Sequence, residues 1–264
     1  MNSDIVRTSI FLGVLLSFAL LEWRFPRRKK RVATTSKRWV TNIGLVSLNT
    51  LLLKLVFPVT LVEVAKMEYS GGLLGLVHIP IWSKVVLSVI ALDLLVYIQH
   101  LLFHKIPILW RLHMVHHTDL DLDASSGVRF HTIEIGLSFL LKLGAVVVLG
   151  VPVLGVIIFE ILLNATAVFN HSNLYIPPSI ERILRLFLVT PDMHRIHHSS
   201  NPKETDQNYG FSLPWWDRVF GTYTPQPELG HDNMIIGLNA FRIESKLKLP
   251  GLLVLPFKRE KTHV

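Results

Sequence analysis

The sequence predicts an all-α integral membrane protein with about four to five transmembrane helices, a helical hairpin among them, and a cytoplasmic histidine-rich helical cap. Three observations predict it. Half of the 264 residues are apolar and only 17% are charged, which lies outside the usual range of soluble domains. Apolar stretches of bilayer length recur along the chain, and a helix needs about 20 such residues to cross the hydrocarbon core. Ten of the 13 histidines lie between His100 and His198, at spacings of three and four residues within each group.

The first span is expected over Ile5–Leu21, followed by "EWRFPRRKKR". A secretory leader carries its charges before the apolar run. Here they follow it, so the segment reads as an uncleaved helix. The six basic residues from Arg24 to Arg31, with Lys37 and Arg38, place this loop in the cytoplasm by the positive-inside rule. A second span is expected over Val40–Val62, with Lys54 as a costly charge in its middle. Glu63–Pro80 reads as an outer loop and Ile81–Phe103 as a third span. Ile133–Phe169 is too long for one crossing. "LGVP" at Leu149–Pro152 breaks it, which gives a hairpin that enters and leaves on one side. Everything from Asn170 onward is then cytoplasmic or interfacial, with "RILRLFLV", Arg182–Val189, as an amphipathic interfacial helix. This divides the chain into membrane helices over 1–80, a catalytic domain over 81–225 and a cytoplasmic tail over 226–264.

The chain has no cysteine, which excludes disulfides, thiolate metal sites and cysteine-held iron–sulfur clusters. The net charge of +8 is concentrated beside an apolar segment. It points to lipid headgroups and topology, and no nucleic-acid partner is expected.

Three blocks carry the chemistry. "HLLFH" places His100 and His104 at i and i+4. "HMVHH" places His113, His116 and His117 at i, i+3 and i+4, and "HRIHH" does the same for His194, His197 and His198. Residues three and four apart share a helix face. Each block therefore aims its imidazoles one way, and the expected topology gathers all three on one side. Eight clustered imidazoles would repel if protonated and lack donors if neutral. A metal resolves both problems. Eight or nine nitrogens exceed what one ion accepts, so two ions with four or five nitrogens each fit the count. The ligand type suits iron, zinc, copper and nickel alike. At a lipid interface a redox pair suggests oxygen chemistry on C–H bonds. A zinc pair would suggest a membrane metallohydrolase, and a metal transporter or sensor would need histidines spread across the membrane.

The blocks "DLLVYIQHLLFH", "GVRFHTIE", "NATAVFNHSNLYIP", "TPDMHRIHHS" and "NYGFSLPWWDRVFGTY" resemble, in order, those of the fatty acid hydroxylase/sterol desaturase superfamily. The resemblance covers roughly Ala91–Tyr223. It implies a non-haem di-iron membrane oxidoreductase that uses O2 and external electrons, with zinc as a substitute in purified protein. It implies hydroxylation or desaturation of a fatty acyl chain, a sterol or a related lipid. Carried over block by block, His100, His104, His113, His116, His117, His194, His197 and His198 match the family's metal ligands. His171 in "FNHSN" matches a further ligand. His131 in "RFHTIE" also matches a family block, as a ligand or as a group behind one. Lys105 departs from the acidic residue some members carry there, which leaves subclass and substrate open.

Asp93 falls at i, i+4, i+7 and i+11 with Tyr97, His100 and His104. It is a candidate to accept the far N–H of a ligating histidine, as are Glu134, Glu160 and Asp192. Asn164 shares a helix face with His171. Asp119, Asp121 and Asp123 read as a solvated acidic turn. Trp215 and Trp216 read as an interfacial belt, and Asp217 with Arg218 as an ion pair. His78, His231 and His263 fall outside the blocks and are expected not to be ligands. No G-x-G-x-x-G follows a strand pattern. Electrons are therefore expected from a separate cytochrome b5, ferredoxin or reductase, steered by the basic face. The short loops suggest a bacterial inner membrane; a eukaryotic version would sit in the endoplasmic reticulum.

Overall fold

The computed structural model describes residues 3–29, 31–67 and 72–258. Lys30 of the basic run and His263 lie outside the described residues. The described residues are helical, with only two isolated bridges, Pro26 to Leu174 and Ser199 to Ile236. Five helical segments are long and apolar enough to cross a membrane.

Helix α1 spans Ser3–Arg24, α2 Thr35–Val56, α3 Leu61–Lys66, α4 Ile81–Lys105, α5 Pro107–His117, α6 Thr132–Leu149 and α7 Val153–His171. The hairpin forms as expected. At about 1.5 Å per residue, α6 and α7 are each roughly 27–28 Å long, the thickness of the hydrocarbon core. Between them Gly150 takes the left-handed conformation (φ 65°) and Pro152 caps α7. The loop before α4 rests on this turn through Leu73 and Leu74, whose N–H groups donate to Val148 and Leu149. Gly72 makes that approach possible, because a Cβ there would lie 2.3 Å from the Gly150 nitrogen.

The second span starts earlier than its hydropathy suggested. Its first helix opens at Thr35 and ends at Val56, so Lys54 stands in the last turn of α2, while the apolar span runs on through α3 to Lys66. The Lys54 cation faces the negative end of the α2 dipole. The chain breaks at Pro58 and restarts at α3, where Thr60 and Glu63 form a capping box.

The core between the spans is built from Leu61 and Val62 of α3, Leu92 and Val96 of α4, Val146 of α6 and Val156 and Phe159 of α7. The C-termini of α1, α4 and α7 and the N-termini of α2 and α6 meet at one end of this bundle, under the cap. There α8 (Pro178–Leu184) and α9 (Pro191–His197) lie across the helix ends. The expected interfacial helix over Arg182–Val189 stops at Leu184. Its chain turns away because Arg185 folds back onto Glu181 and the Pro225 carbonyl, and Val189 N–H donates to Ser212. Ile180, Ile183, Leu186 and Phe187 are left exposed. The segment after residue 226 also joins the cap. Met234 and Ile236 pack on Leu122, and Leu252 and Leu255 pack with Trp110, Met114 and Val115 of α5.

Candidate metal centre

The basic run after α1 is not a free loop. Arg38 reaches under the cap, where its guanidinium meets Asp119 at 2.5 Å and Asp123 at 2.6 Å. Asp119, Asp121 and Asp123 are all buried, so the expected solvated acidic turn is instead an internal anchor. Asp121 accepts from the Val32 and Ala33 N–H groups. Arg27 pairs with Asp192 and Asp232, Arg28 donates to the Met234 carbonyl and Arg31 to the Leu122 carbonyl. Burial alone would raise the Asp119 carboxyl, but Arg38 overrides it and holds it well below the usual range. Spacing could not reveal this, since the partners are 81 to 85 residues apart.

Under this clamp the histidines form two groups. His100, His104, His113, His117 and His197 make one; His116, His171, His194 and His198 make the other. Within each group one nitrogen from every ring lies within 4.8 Å of all the others. The adjacent pair His116 and His117 splits between the groups because neighbours on a helix diverge by about 100°. The pair His197 and His198 splits in the same way at the end of α9. His100 and His104 come from the last turns of α4, and His171 closes α7. Pro107 starts α5 immediately after α4, and Thr190 with Pro191 starts α9, Thr190 accepting from Met193 N–H.

Most rings are held from behind. The Nδ1–H groups of His100, His116, His171 and His197 donate to the carbonyls of Tyr209, Arg129, Ala167 and Gln207. His113 Nδ1 donates to Glu134 at 2.6 Å, and His104 Nδ1 lies 3.4 Å from Asp206. A proton on Nδ1 leaves the Nε2 lone pair free to coordinate. Those Nε2 atoms converge: His104 on His117 at 3.1 Å, and His171 on both His116 and His194 at 3.0 Å. Two nitrogens bound to one ion at about 2.1 Å each would stand about 3 Å apart at a right angle. The Nε2 atoms of His100, His113, His197 and His198 are buried without a hydrogen-bond partner. Burial pushes His116, His117, His194 and His198 well below the ordinary histidine range and His197 down to about 3. They are neutral at pH 7, the form that ligates. The residues present fit a metal pair.

One backbone approach supports the second group. Gly127, in the short turn Ala124–Val128, packs against α7 so closely that a Cβ would lie 2.3 Å from the Ala167 oxygen. That oxygen is the acceptor for His171.

Other expected residues lie elsewhere. His131 caps α6, with its Nδ1 accepting from Ile133 and its Nε2 on the Leu253 carbonyl, and it joins neither group. Asp93 accepts from the N–H groups of Ser212 and Leu213 and from Trp216 Nε1, not from an imidazole. It clamps the 211–216 loop onto α4, and Trp216 serves that clamp more than a lipid belt. Asp192 faces Arg27 and Arg195. Asn164 is exposed and donates to the Glu160 carbonyl, and Glu160 pairs with Arg7. Glu160 and Asn164 share a face of α7 with His171 but sit too far down the span to reach the cap. Asp217 does not pair with Arg218: it accepts from Tyr209, Gly210 and Thr222, while Arg218 stacks on Tyr223. Of the acids considered, Glu134 is the one held against a clustered ring. Asp206 was missed, because nothing in its spacing ties it to His104.

Beside both groups, toward the apolar middle of α4, lies a cavity of about 40 Å³. Val96, Phe103, Phe130 and Phe211 form its apolar walls, and His100, His113, His116 and His194 its floor.

The family model described as fatty acid hydroxylase matches residues 85–222, 138 of the 264 residues. The chain belongs to the fatty acid hydroxylase family. Both histidine groups of this family member fall inside the matched segment. It is 27% identical to an alkylglycerol monooxygenase of Xenopus tropicalis over 84% of this chain and 47% of that protein. It is 30% identical to the ornithine lipid hydroxylase OlsE of Rhizobium tropici over 56% of this chain and 44% of that protein. A fatty acid hydroxylase, vlmA, of Lecanicillium sp is 31% identical over 58% and 46%. The chain thus spans less than half the length of these relatives. No solved structure matches it.

Proposed function

We propose that this hydroxylase-family chain is a membrane di-iron oxidoreductase that uses O2 and external electrons to hydroxylate or desaturate a lipid C–H bond. The observation that carries the reading is the pair of buried imidazole groups that border one cavity with apolar walls. His100, His104, His113, His117 and His197 would hold one ion, and His116, His171, His194 and His198 the other. When bound, the iron pair would supply the activation of O2 needed to attack an unactivated C–H bond. The chain's own residues do the rest. The carbonyls of Tyr209, Arg129, Ala167 and Gln207 and the Glu134 carboxylate fix ring orientation and tautomer. Phe103, Phe130 and Phe211 keep water from the reacting carbon.

The lipid is supplied laterally, along the exposed apolar flank of α4 and α6 at Leu102, Ile133 and Leu137. The basic run and the histidines share one end of the bundle, which the positive-inside rule assigns to the cytoplasm. The sequence holds no redox cofactor motif, so electrons come from a separate cytochrome b5, ferredoxin or reductase. Arg24, Lys29 and Lys37 remain exposed at that end for an acidic donor. A multi-pass protein of a bacterial inner membrane fits this arrangement.

The test is elemental analysis of detergent-purified protein prepared without added metal, paired with O2 consumption on extracted lipids plus a reductant. About two irons per chain with lipid-dependent uptake is the expected result. Two zincs and no uptake after anaerobic iron reconstitution would overturn the reading in favour of a hydrolase.

A further inference from the structure

Two acceptor oxygens line the cavity beside the histidines and find no hydrogen-bond partner among the described residues. Val96, Gln99, His100 and Phe103 stand at i, i+3, i+4 and i+7 and share one face of α4. Gln99 therefore points into the same space as His100, and it lines the cavity. Its Oε1 is buried without a hydrogen-bond partner. Glu134 lines the cavity from α6. Its Oε1 is used by His113, but its Oε2 is also buried without a partner. A buried acceptor left unpaired carries a free-energy cost, and two facing one cavity require an explanation. The surrounding rings do not supply it. His100, His113 and His116 already spend their Nδ1 protons on Tyr209, Glu134 and Arg129, and His194 Nδ1, itself without a partner, bonds to neither oxygen. Nothing about holding metal calls for Gln99, since an aliphatic residue would fill the position without leaving an acceptor stranded.

We propose that Gln99, together with the free oxygen of Glu134, is the substrate-selecting element, and that the substrate carries a hydroxyl or amide N–H within a few atoms of the carbon that is oxidised. This rests on the lipid-oxidation reading above and narrows it. A plain hydrocarbon segment would bury both acceptors unpaired. A donor-bearing segment satisfies them and fixes which carbon faces the histidine floor. Size agrees: at about 10–15 Å³ per water-sized group, a cavity of about 40 Å³ admits roughly three such groups. That holds the functional end of a lipid and leaves its chain along Leu102, Ile133 and Leu137. Discrimination of this kind is strong, because a site built around unpaired acceptors rejects the analogue that lacks the donor.

The test uses full-length protein in nanodiscs, loaded with redox-inert zinc so that binding is read without turnover. The probes are two matched pairs: a hexadecyl glycerol ether and its dimethyl ether, and N-hexadecylacetamide and its N-methyl derivative. Apparent dissociation constants come from ligand-induced shifts in melting temperature. In the wild type the donor-bearing member of at least one pair is expected to bind about tenfold more tightly. Gln99→Met is expected to bring that ratio near one with bound zinc unchanged, and Gln99→Glu, which keeps an acceptor, to retain it. No preference in the wild type, or a preference that survives Gln99→Met, overturns the proposal. Failure of every lipid to drive O2 uptake in the iron form would sink the oxidation reading instead, and the binding ratio would still report on Gln99.

Discussion

Glu134, in the first turn of α6, accepts a 2.6 Å hydrogen bond from Nδ1 of His113 on α5. The two are 21 residues apart and both are buried. The carboxylate fixes the tautomer that frees Nε2 and raises the basicity of the ring. Glu134→Gln keeps an acceptor but removes the charge. It is expected to weaken metal retention about ten- to a hundredfold, with little change in melting temperature of the metal-free protein. Chelator competition measures this, and an unchanged release curve would contradict it.

Arg38 is the second testable element. Its guanidinium is shared by Asp119 and Asp123, and all three residues are buried. Arg38→Met leaves two carboxylates unpaired under the cap. Breaking a buried pair from one side costs about 3–5 kcal/mol, so a large fall in melting temperature is expected. Adding Asp119→Asn to Arg38→Met should recover part of the loss. A lone Arg38→Met variant as stable as wild type would show that the basic run is a headgroup loop after all.

How far the site was legible follows from these two cases. Within a helix, chemistry appears as spacing, so the i, i+3, i+4 histidine blocks and the count of four or five nitrogens per group could be read directly. The hairpin could be read too, because "LGVP" breaks an apolar run. Contacts between elements leave no such period. Arg38 with Asp119 and Asp206 with His104 depend on how helix ends stack, and charge beside an apolar run reads equally as a headgroup contact. Asp93 and Asn164 show the converse error, while Asp192, on α9, is taken up by Arg27 and Arg195. Sharing a face with a histidine says nothing about depth, and Asp93 faces a loop instead of a ring.

The division of neighbouring histidines between two groups predicts separable losses. His197→Ala removes a ring from the five-membered group, and His198→Ala one from the four-membered group. Each is expected to lower bound metal from about two ions toward one. His131→Ala should leave metal content at the wild-type value and cost about 1 kcal/mol of stability as a lost helix cap. Metal analysis and melting curves on the three variants read both effects. Loss of metal in His131→Ala would return that residue to the ligand set.

Gly127 predicts an effect transmitted through backbone. A methyl group there meets the Ala167 oxygen at 2.3 Å, so Gly127→Ala must displace either the turn or α7. The same oxygen accepts from His171 Nδ1. Gly127→Ala is therefore expected to loosen the ion held by His116, His171, His194 and His198 before the other. Stepwise chelation, with one ion leaving well ahead of its partner, would be the signature. Equal loosening of both ions would mean that the turn acts only on general packing.

Asp217 gives the pH prediction. Burial raises its carboxyl to about 6, against opposing hydrogen bonds from Thr222, Gly210 and Tyr209. A carboxyl whose folded pKa lies above its unfolded value holds its proton more tightly when folded. Its contribution to stability is then fully present below about 4, the unfolded value, and fades as pH rises through about 6. Asp217→Asn keeps one acceptor and cannot ionise. Relative to the wild type, it should therefore be least favourable near pH 4 and gain steadily up to pH 7. Other titrating groups cancel in this difference. Melting temperatures of both proteins between pH 4 and 8 measure it, and a difference that is flat or falls with pH would show that the Asp217 carboxylate is stabilised, not strained, by its loop.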